Sequence, residues 1–566
     1  MLDVKNAPKS TCTKRQVRVG KSFLTIRKRL PTHLFFLLLL LASNSVLSQK
    51  PEYIVGKLLD SKTREPIAFA SIRIKDRALG IISNTDGSFK IPLKYKEYGD
   101  IIEISSMGYR TKEILIQDFS VHELNDVRLQ PATLELEEAV VTAKKKKEKK
   151  LTAKQIVRKA LRSISENYPV QPFSTAGYYR DYQLDSLGYV NLNEAILEVF
   201  DKGFDTMDSI TTKVKIFDYL ENTDFKRDTL ALQSYDYQFK EGRKVIDKAF
   251  LASYGGNEFT ILRVHDALRN YKIDSYSFVH RLKSDLLPEH QFKKESDTYL
   301  DDEPLYTVKF EKLLLDYSAY GTMYISKRNF AIHKMEYTLY DRTKKLPNGV
   351  INKHKTNNQL IFEIITEYHL ENDRMYLSYI SFHNTFQIWD PPKFVLEHTT
   401  IDPNLQCFVM SFNRAPNLQD ALNEDNYFLK YKGEKIDFTK VVLDNSDENR
   451  KTVLLYPKMY PSKFMSMTMA ASKKSVDSLL LSIKVSKIRD VDGNLINEWT
   501  SRDYNQFREF FVQEVKPNAK SPVDSLFMEK RRPIFKDQPI IKPDNFDDYW
   551  MNTPLQNIKS QRPSEE

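Results

Sequence analysis

The spacing that most invites a chemical reading is His333-Lys334-Met335-Glu336, a His-x-x-Glu pair. With a distant third histidine such a pair can hold zinc, which takes three protein ligands and leaves one position for water. Here the pair falls in an alternating stretch that reads as a strand, where residues three apart point to opposite faces. The last histidine of the chain is His398, and no His-Glu-x-x-His occurs. Two acidic groups, Asp301-Asp302-Glu303 and Asp490-x-Asp492-Gly493-Asn494, read as hairpin turns; the second lacks the twelve-residue ligand spacing of a calcium loop. Cys407, in the apolar run Cys407-Phe408-Val409-Met410, reads as a buried small hydrophobe, because a nucleophilic thiolate needs an activating neighbour. Neither Gly-x-Ser-x-Gly, Gly-x-Gly-x-x-Gly nor a phosphate-loop motif is present. The expectation is therefore no assigned catalytic, cofactor-binding or metal residue, and a non-enzymatic chain without a cofactor. A hydrolase with a dispersed site remains the alternative.

Charge says where the chain goes rather than what it binds. The 566 residues carry a formal +10, yet residues 1–48 hold five Lys and four Arg against the single acid Asp3. Leu34 to Ala42 follow as an apolar run, then Val46-Leu47-Ser48 as a cleavage-site pattern, so residues 1–48 read as a secretory signal peptide. The remaining 518 residues sum to +2, of which Lys144–Lys150 (KKKKEKK) supplies +5. The rest is slightly acidic, which removes the support for nucleic-acid binding. Without another apolar run of about eighteen residues, no transmembrane segment is expected in the mature chain. The expected location is the periplasm or the outer membrane of a cell envelope, and the expected partners are an envelope protein, a glycan or a lipid.

Cysteine and glycine usage refine this picture. Cys12 leaves with the signal, so Cys407 has no intrachain partner. Five of the 16 glycines cluster between Gly56 and Gly108, where short alternating runs and the turn Asn84-Thr85-Asp86-Gly87 predict seven strands from Tyr53 to Leu129. The runs Val55-Gly56-Lys57-Leu58-Leu59-Asp60, Glu65-Pro66-Ile67-Ala68-Phe69-Ala70-Ser71-Ile72, Thr85-Asp86-Gly87-Ser88-Phe89 and Ile104-Ser105-Ser106-Met107-Gly108-Tyr109 resemble the carboxypeptidase-regulatory-like domain. The resemblance implies a transthyretin-like β-sandwich over residues 49–131, an accessory module without catalytic residues. It also implies turns at Gly56, Pro66, Asp86, Gly87 and Gly108, with Ile72, Phe89 and Ile104 in the core. Leu134 to Thr142 resembles the strand that follows this module in TonB-dependent receptors, but the basic run after it departs from that pattern.

Residues 132–151 read as a basic linker. Residues 152–412 read as an antiparallel β-rich domain with an N-terminal helix capped by Thr152, whose Ile156, Ala160, Leu161 and Ile164 share one face. Hairpins are predicted at Tyr306–Phe310 with Gly321–Ile325, and at Leu360–Tyr368 with Ile380–Ile388 around Glu371-Asn372-Asp373-Arg374. The former, continued through Ser326–Asn329, resembles lipoprotein-carrier-type half-barrels, in which a curved sheet wraps a helix; that implies a periplasmic carrier of lipid or another apolar ligand as a further alternative. The helix, or the stretch Leu262 to Leu268, is expected on the concave side. Residues 413–516 read as a mixed α/β region, with a hairpin around Asp492-Gly493 and a short helix over Tyr504–Val515. Recurring prolines make 517–566 an extended surface tail, anchored by Tyr549 and Trp550. The fold class is mainly β: a seven-stranded sandwich, then a larger antiparallel curved sheet with one or two helices. Tyr and Phe number 64, which suits either β cores or an exposed stacking face.

Overall fold

The computed structural model describes residues 52–75, 77, 79–132, 151–185, 188–232, 244–245, 257–273, 281–300, 303–346, 350–471, 481–523 and 525–555. The segments expected as a signal peptide and, apart from its ends, as a basic linker lie outside the described residues. Strands β1 (Tyr53–Asp60), β2 (Ser71–Ile74), β3 (Leu79–Ile82), β4 (Ser88–Pro92), β5 (Ile101–Ser105), β6 (Lys112–Leu115) and β7 (Asn125–Leu129) make the sandwich. Its sheets run β4-β1-β7 and β3-β2-β5-β6. Alternation puts Ile54, Leu58, Ile72, Phe89 and Ile104 into one core. Gly87 and Gly108 do set turns, at φ +78° and +83°. Gly56 does not: it sits inside β1 opposite Phe89, and a Cβ there would meet that ring at 2.1 Å. Its role is to admit the phenyl group.

The larger sheet begins with β8 (Phe173–Asp185), β9 (Gly188–Asp201), β10 (Lys213–Glu221) and the short β11 (Lys244–Val245). It continues through β12 (Gln291–Lys294), β13 (Thr298–Leu300), β14 (Glu303–Leu313), β15 (Tyr317–Ser326), β16 (Ile332–Lys345), β17 (Asn358–Glu371) and β18 (Arg374–Asp390). The two-residue turn Asn372-Asp373, both at positive φ (47° and 61°), fixes the β17–β18 register as expected of a hairpin turn whose twist matches its strands.

After β18 the chain builds a separate lobe from β19 (Leu396–Asp402), β20 (Cys407–Phe412), β21 (Tyr427–Tyr431), β22 (Glu434–Ile436), β23 (Phe438–Leu443), β24 (Thr452–Pro457) and β25 (Leu481–Val485). These form the sheets β19-β20-β24-β23 and β22-β21-β25 around Phe408, Met410, Phe464 and Met467. Around Asp492-Gly493 the turn is present, but Lys484 pairs with Phe428 of β21, and the two sides of the turn are joined by an Arg489↔Leu495 bridge rather than a strand ladder.

The chain then returns as β26 (Thr500–Pro517), which lies between β8 and β18 in the order β10-β9-β8-β26-β18-β17-β16-β15-β14-β12 of a twelve-stranded sheet. The helix expected over Tyr504–Val515 is therefore a central strand. Its apolar and polar residues are buried on both faces, Phe510 against one core and Phe511 against another, so the period-two signal is erased. β19 and β20, placed by sequence with the large sheet, belong instead to the sheet β19-β20-β24-β23.

Cross-strand register assigns the two faces. One rung runs Phe310, Gly321, Tyr337, Ile364, Phe382, Arg508, Asp181. This inner face is filled by helices: Ile156, Val157, Ala160 and Leu161 of Ala153–Arg162, Phe259 and Leu262 of Glu258–Val264, and Leu282 and Leu286 of Leu282–Glu289. Thr152 caps the first helix and closes a capping box with Gln155. Both stretches expected on the concave side are thus there.

The adjacent rung, Lys309, Thr322, Glu336, Ile365, Ser381, Glu509, Arg180, Glu194, faces outward. The sandwich docks over its β18, β26 and β8 end. Arg180, completely buried, donates to Glu509 of the neighbouring strand and to Asn84 of the sandwich, with its guanidinium 5.0 Å from the Phe511 ring centroid. Phe69 of the sandwich stacks on Tyr379 at 5.2 Å. The C-terminal segment is not merely a surface tail. Met528 and Ile541 donate backbone hydrogen bonds to Val214 and Ile216 of edge strand β10, Trp550 enters the sandwich core, and Asn552 bonds the Ile82 carbonyl at 2.9 Å.

Removing one member of a buried ion pair strands the other charge, at a cost of about 3–5 kcal/mol, whereas replacing both by apolar groups costs far less. Arg180→Met is accordingly expected to lower stability by about that amount in urea titrations, and the double variant Arg180→Met/Glu509→Met to recover part of the loss. A double variant as unstable as the sum of the singles would contradict the pairing.

Candidate functional site

Toward β12 the outer face opens into a cleft of about 610 Å³. Register explains its floor: Lys309, Thr322 and Glu336 form one outward rung, and Glu311, Tyr320 and Thr338 the next. Strand β12 adds Gln291 and Lys293 opposite Glu311 and Lys309. Gly321 is required beneath it, since a Cβ would meet the Phe310 ring at 2.2 Å and the Glu336 carbonyl oxygen at 2.7 Å.

The wall comes from the β16–β17 connection. Asn352 organises it, its Oδ1 accepting from the His354 and Thr356 amides at 3.0 and 3.2 Å. That turn lays the His354 ring on Tyr320, centroids 4.5 Å apart and 13° from parallel, with Tyr340 edge-on at 5.6 Å. Next to it Lys353 pairs with Glu363, which also accepts from the Thr338 hydroxyl at 3.1 Å. Burial, reinforced by the Lys353 charge, pushes the His354 imidazole down to about 4, so the ring is neutral at pH 7. The lining holds three lysines, Lys293, Lys309 and Lys353, and three glutamates, Glu295, Glu311 and Glu336. Such a cleft is electrically balanced, rich in donors and acceptors, and backed by an aromatic stack.

A smaller cavity of about 140 Å³ lies where the sandwich meets the sheet, between Arg73 and Glu103 on one side and Lys334, Glu367, His333 and His369 on the other. Burial, with Arg73 and His333 nearby, holds the His369 imidazole well below its ordinary range. Lys334 bonds Glu367 at 2.7 Å and Glu336 at 3.3 Å.

The His-x-x-Glu pair is therefore divided: His333 lines the junction cavity and Glu336 the outer cleft, while His398 lies on β19 of another sheet. Among the described residues no three His, Cys, Asp or Glu side chains converge as a metal site. Cys407 is buried in β20, where burial raises its thiol to about 11. Asp490 closes a turn, accepting from the Asn494 amide at 2.8 Å. Glu303 pairs with Arg328 at 3.1 Å, and Asp301 and Asp302 lie outside the described residues, as does Lys144–Lys150. The cleft went unread in the sequence because its residues are spread over four strands and a connection; the one local signal was the alternation of Glu311, Tyr320, Thr322, Glu336 and Thr338 with core residues.

Residues 54–141 match the family model described as the CarboxypepD_reg-like domain. The sandwich is a CarboxypepD_reg-like domain. No curated protein matches the chain. Among solved structures, a DUF1329 family protein from Desulfovibrio piger aligns at 7% identity over 42% of this chain and 87% of that one, with a TM-score of 0.19, too low to bear on the fold. The CarboxypepD_reg-like domain thus accounts for the module docked on the outer face, and the cleft lies outside it, on the large sheet.

A neutral imidazole with a depressed pKa ties loop docking to pH. The His354 loop keeps its full docking advantage above the ordinary histidine value of 6.5 and loses it progressively as pH falls toward about 4, because the undocked ring takes up the proton first. An NMR titration of the His354 ring is expected to show a midpoint near 4; a midpoint near 6.5 would mean that the ring is not seated on Tyr320.

Proposed function

We propose that this chain is an exported, non-enzymatic cell-envelope binding protein whose outer-face cleft takes a neutral, polyhydroxylated ligand of the glycan class. The observation that carries the reading is the cleft itself: equal numbers of lysines and glutamates around Tyr320 stacked with His354. Sugar C–H faces pack against aromatic rings, and vicinal hydroxyls pair with carboxylates, ammonium groups and hydroxyl side chains, so a balanced wall suits them better than it suits a strongly charged ligand. The basic and apolar N-terminus supports export. Among the described residues no helix is long and apolar enough to cross a membrane. An apolar cargo held inside the sheet is less well supported, since Ile156, Phe259, Leu262 and Leu286 occupy the inner face themselves.

Calorimetry against a panel of neutral and charged oligosaccharides tests this. A neutral member is expected to bind, and Tyr320→Ala combined with Lys309→Ala to weaken it about tenfold or more, ~1.4 kcal/mol, with an unchanged circular dichroism spectrum. Unaltered affinity in the double variant would remove the cleft from the reading. Release of new reducing ends during the titration would overturn its non-enzymatic part.

A further inference from the structure

Beyond the cleft, the same end of the sheet carries an unusual edge. The β14–β15 hairpin turns through Leu313, Leu314 and Leu315, closed by the Leu314 amide on the Tyr317 carbonyl at 2.9 Å. All three leucines are exposed, Leu315 by 88%. The end of β16 lies beside this turn, because Tyr317 pairs with Asp341, the Arg342 amide bonds the Asp316 carbonyl at 2.9 Å, and the Arg342 guanidinium donates to the Leu314 carbonyl; from that end of the strand runs the β16–β17 connection. It carries Val350 and Ile351, exposed by 48% and 66%. Single exposed apolar residues are ordinary on a soluble protein, but five at one end of the sheet, three of them consecutive, set that end apart.

Charge specifies what covers it. From Arg342 to Lys355 the sequence has Arg342, Lys344, Lys345, Lys353 and Lys355 and no acid. The acids around this edge are Asp316 at the hairpin tip, the buried Asp341, Glu311 two residues before Leu313 on the cleft floor, Glu363 paired with Lys353, and Glu289 paired with Lys312. Arg342 and Lys345 bond neutral oxygens, of Leu314 and Asn358, and so keep their charge for an outside partner, while Lys355 is exposed. Apolar turn tips flanked by the exposed cations Arg342, Lys345 and Lys355 match an anionic bilayer, where leucines reach the headgroup–acyl boundary and the cations meet phosphates.

We propose that the Leu313–Leu315 hairpin tip and the Val350-Ile351 turn dock the protein peripherally on an anionic lipid surface, orienting the neighbouring cleft toward it. The inference is independent of which ligand the cleft takes. The test uses the full chain carrying Cys12→Ser, with an environment-sensitive fluorophore on Leu315→Cys, on Ile351→Cys, or on Leu124→Cys in the sandwich as a control that also reports any binding through the N-terminus. With vesicles of phosphatidylcholine and phosphatidylglycerol, emission at 315 and 351 is expected to shift to the blue and become quenchable by lipid-borne quenchers, while the label at 124 stays unchanged. Pure phosphatidylcholine is expected to give little effect. Lys345→Glu with Lys355→Glu is expected to raise the lipid needed for half-maximal signal about tenfold or more. No response at 315 and 351, an equal response at 124, or indifference to lipid charge and to the Lys→Glu pair would each overturn the proposal. So would a dimer in solution that Leu315→Asp dissociates, since the patch would then be covered by a second copy.

Discussion

Arg180 is a fully buried cation at the seam between the large sheet and the sandwich. Its guanidinium is removed from water altogether, and a charge so placed is tolerable only if its neighbours replace the lost hydration. Glu509 supplies the counter-charge from a strand more than three hundred residues away, Asn84 supplies a carbonyl from the sandwich, and the rings of Phe511, Tyr182 and Tyr178 surround it. Glu509 is held in turn by the Tyr379 hydroxyl at 3.0 Å. One cation therefore specifies three things together: the β8–β26 pairing, the face on which the CarboxypepD_reg-like domain sits, and the closing of the sheet by a strand that arrives only after the intervening lobe is complete.

A sheet of twelve strands has two faces to cover, and the molecule covers them by different means. The inner face is filled with the chain's own helices, whose apolar stripes meet the Phe310 to Phe382 rung. The outer face is covered over β18, β26, β8, β9 and β10, by Ile82 and Phe69 from the sandwich and Tyr549 from the C-terminal segment, and the sandwich also reaches Lys334 of β16 and Glu367 and His369 of β17 across the junction cavity. Over β12, β14, β15 and the Glu336–Thr338 part of β16 its polar rungs remain available, and that asymmetry leaves room for a cleft there. The β16–β17 connection serves both features of this half: its His354 closes the cleft wall, and its Val350 and Ile351 extend the apolar edge.

How much of this was legible in the sequence depends on how local the governing interaction is. The Thr152 cap, the Asn372-Asp373 turn and the alternation of β1, β4 and β5 act within a few residues, and each appears where sequence logic puts it. Gly56 was legible as a necessary glycine but not for the right reason, because the Phe89 ring that needs the space lies on another strand. β26 was misread because burial on both faces leaves no alternation to find. The histidines mislead in the opposite sense: His333 and Glu336 are close in sequence, yet His333, at the bulge between Tyr324 and Ile325, lines the junction with the sandwich, and Glu336, further along the strand, lines the outer cleft.

The sequence by itself determined the mainly β class, the seven strands of the CarboxypepD_reg-like domain, the capped helix, and the near-neutral balance of everything outside the basic N-terminus and the Lys144–Lys150 run. These follow from backbone preference, periodicity and charge, which need no knowledge of distant partners. Only the tertiary structure decided which strands are neighbours, which face the sandwich covers, that Tyr320 meets His354, and that two exposed turns share one edge. Each of those depends on registers between segments tens to hundreds of residues apart. Such registers are set by burying Arg180 with Glu509 and by filling one face of the sheet while leaving part of the other open.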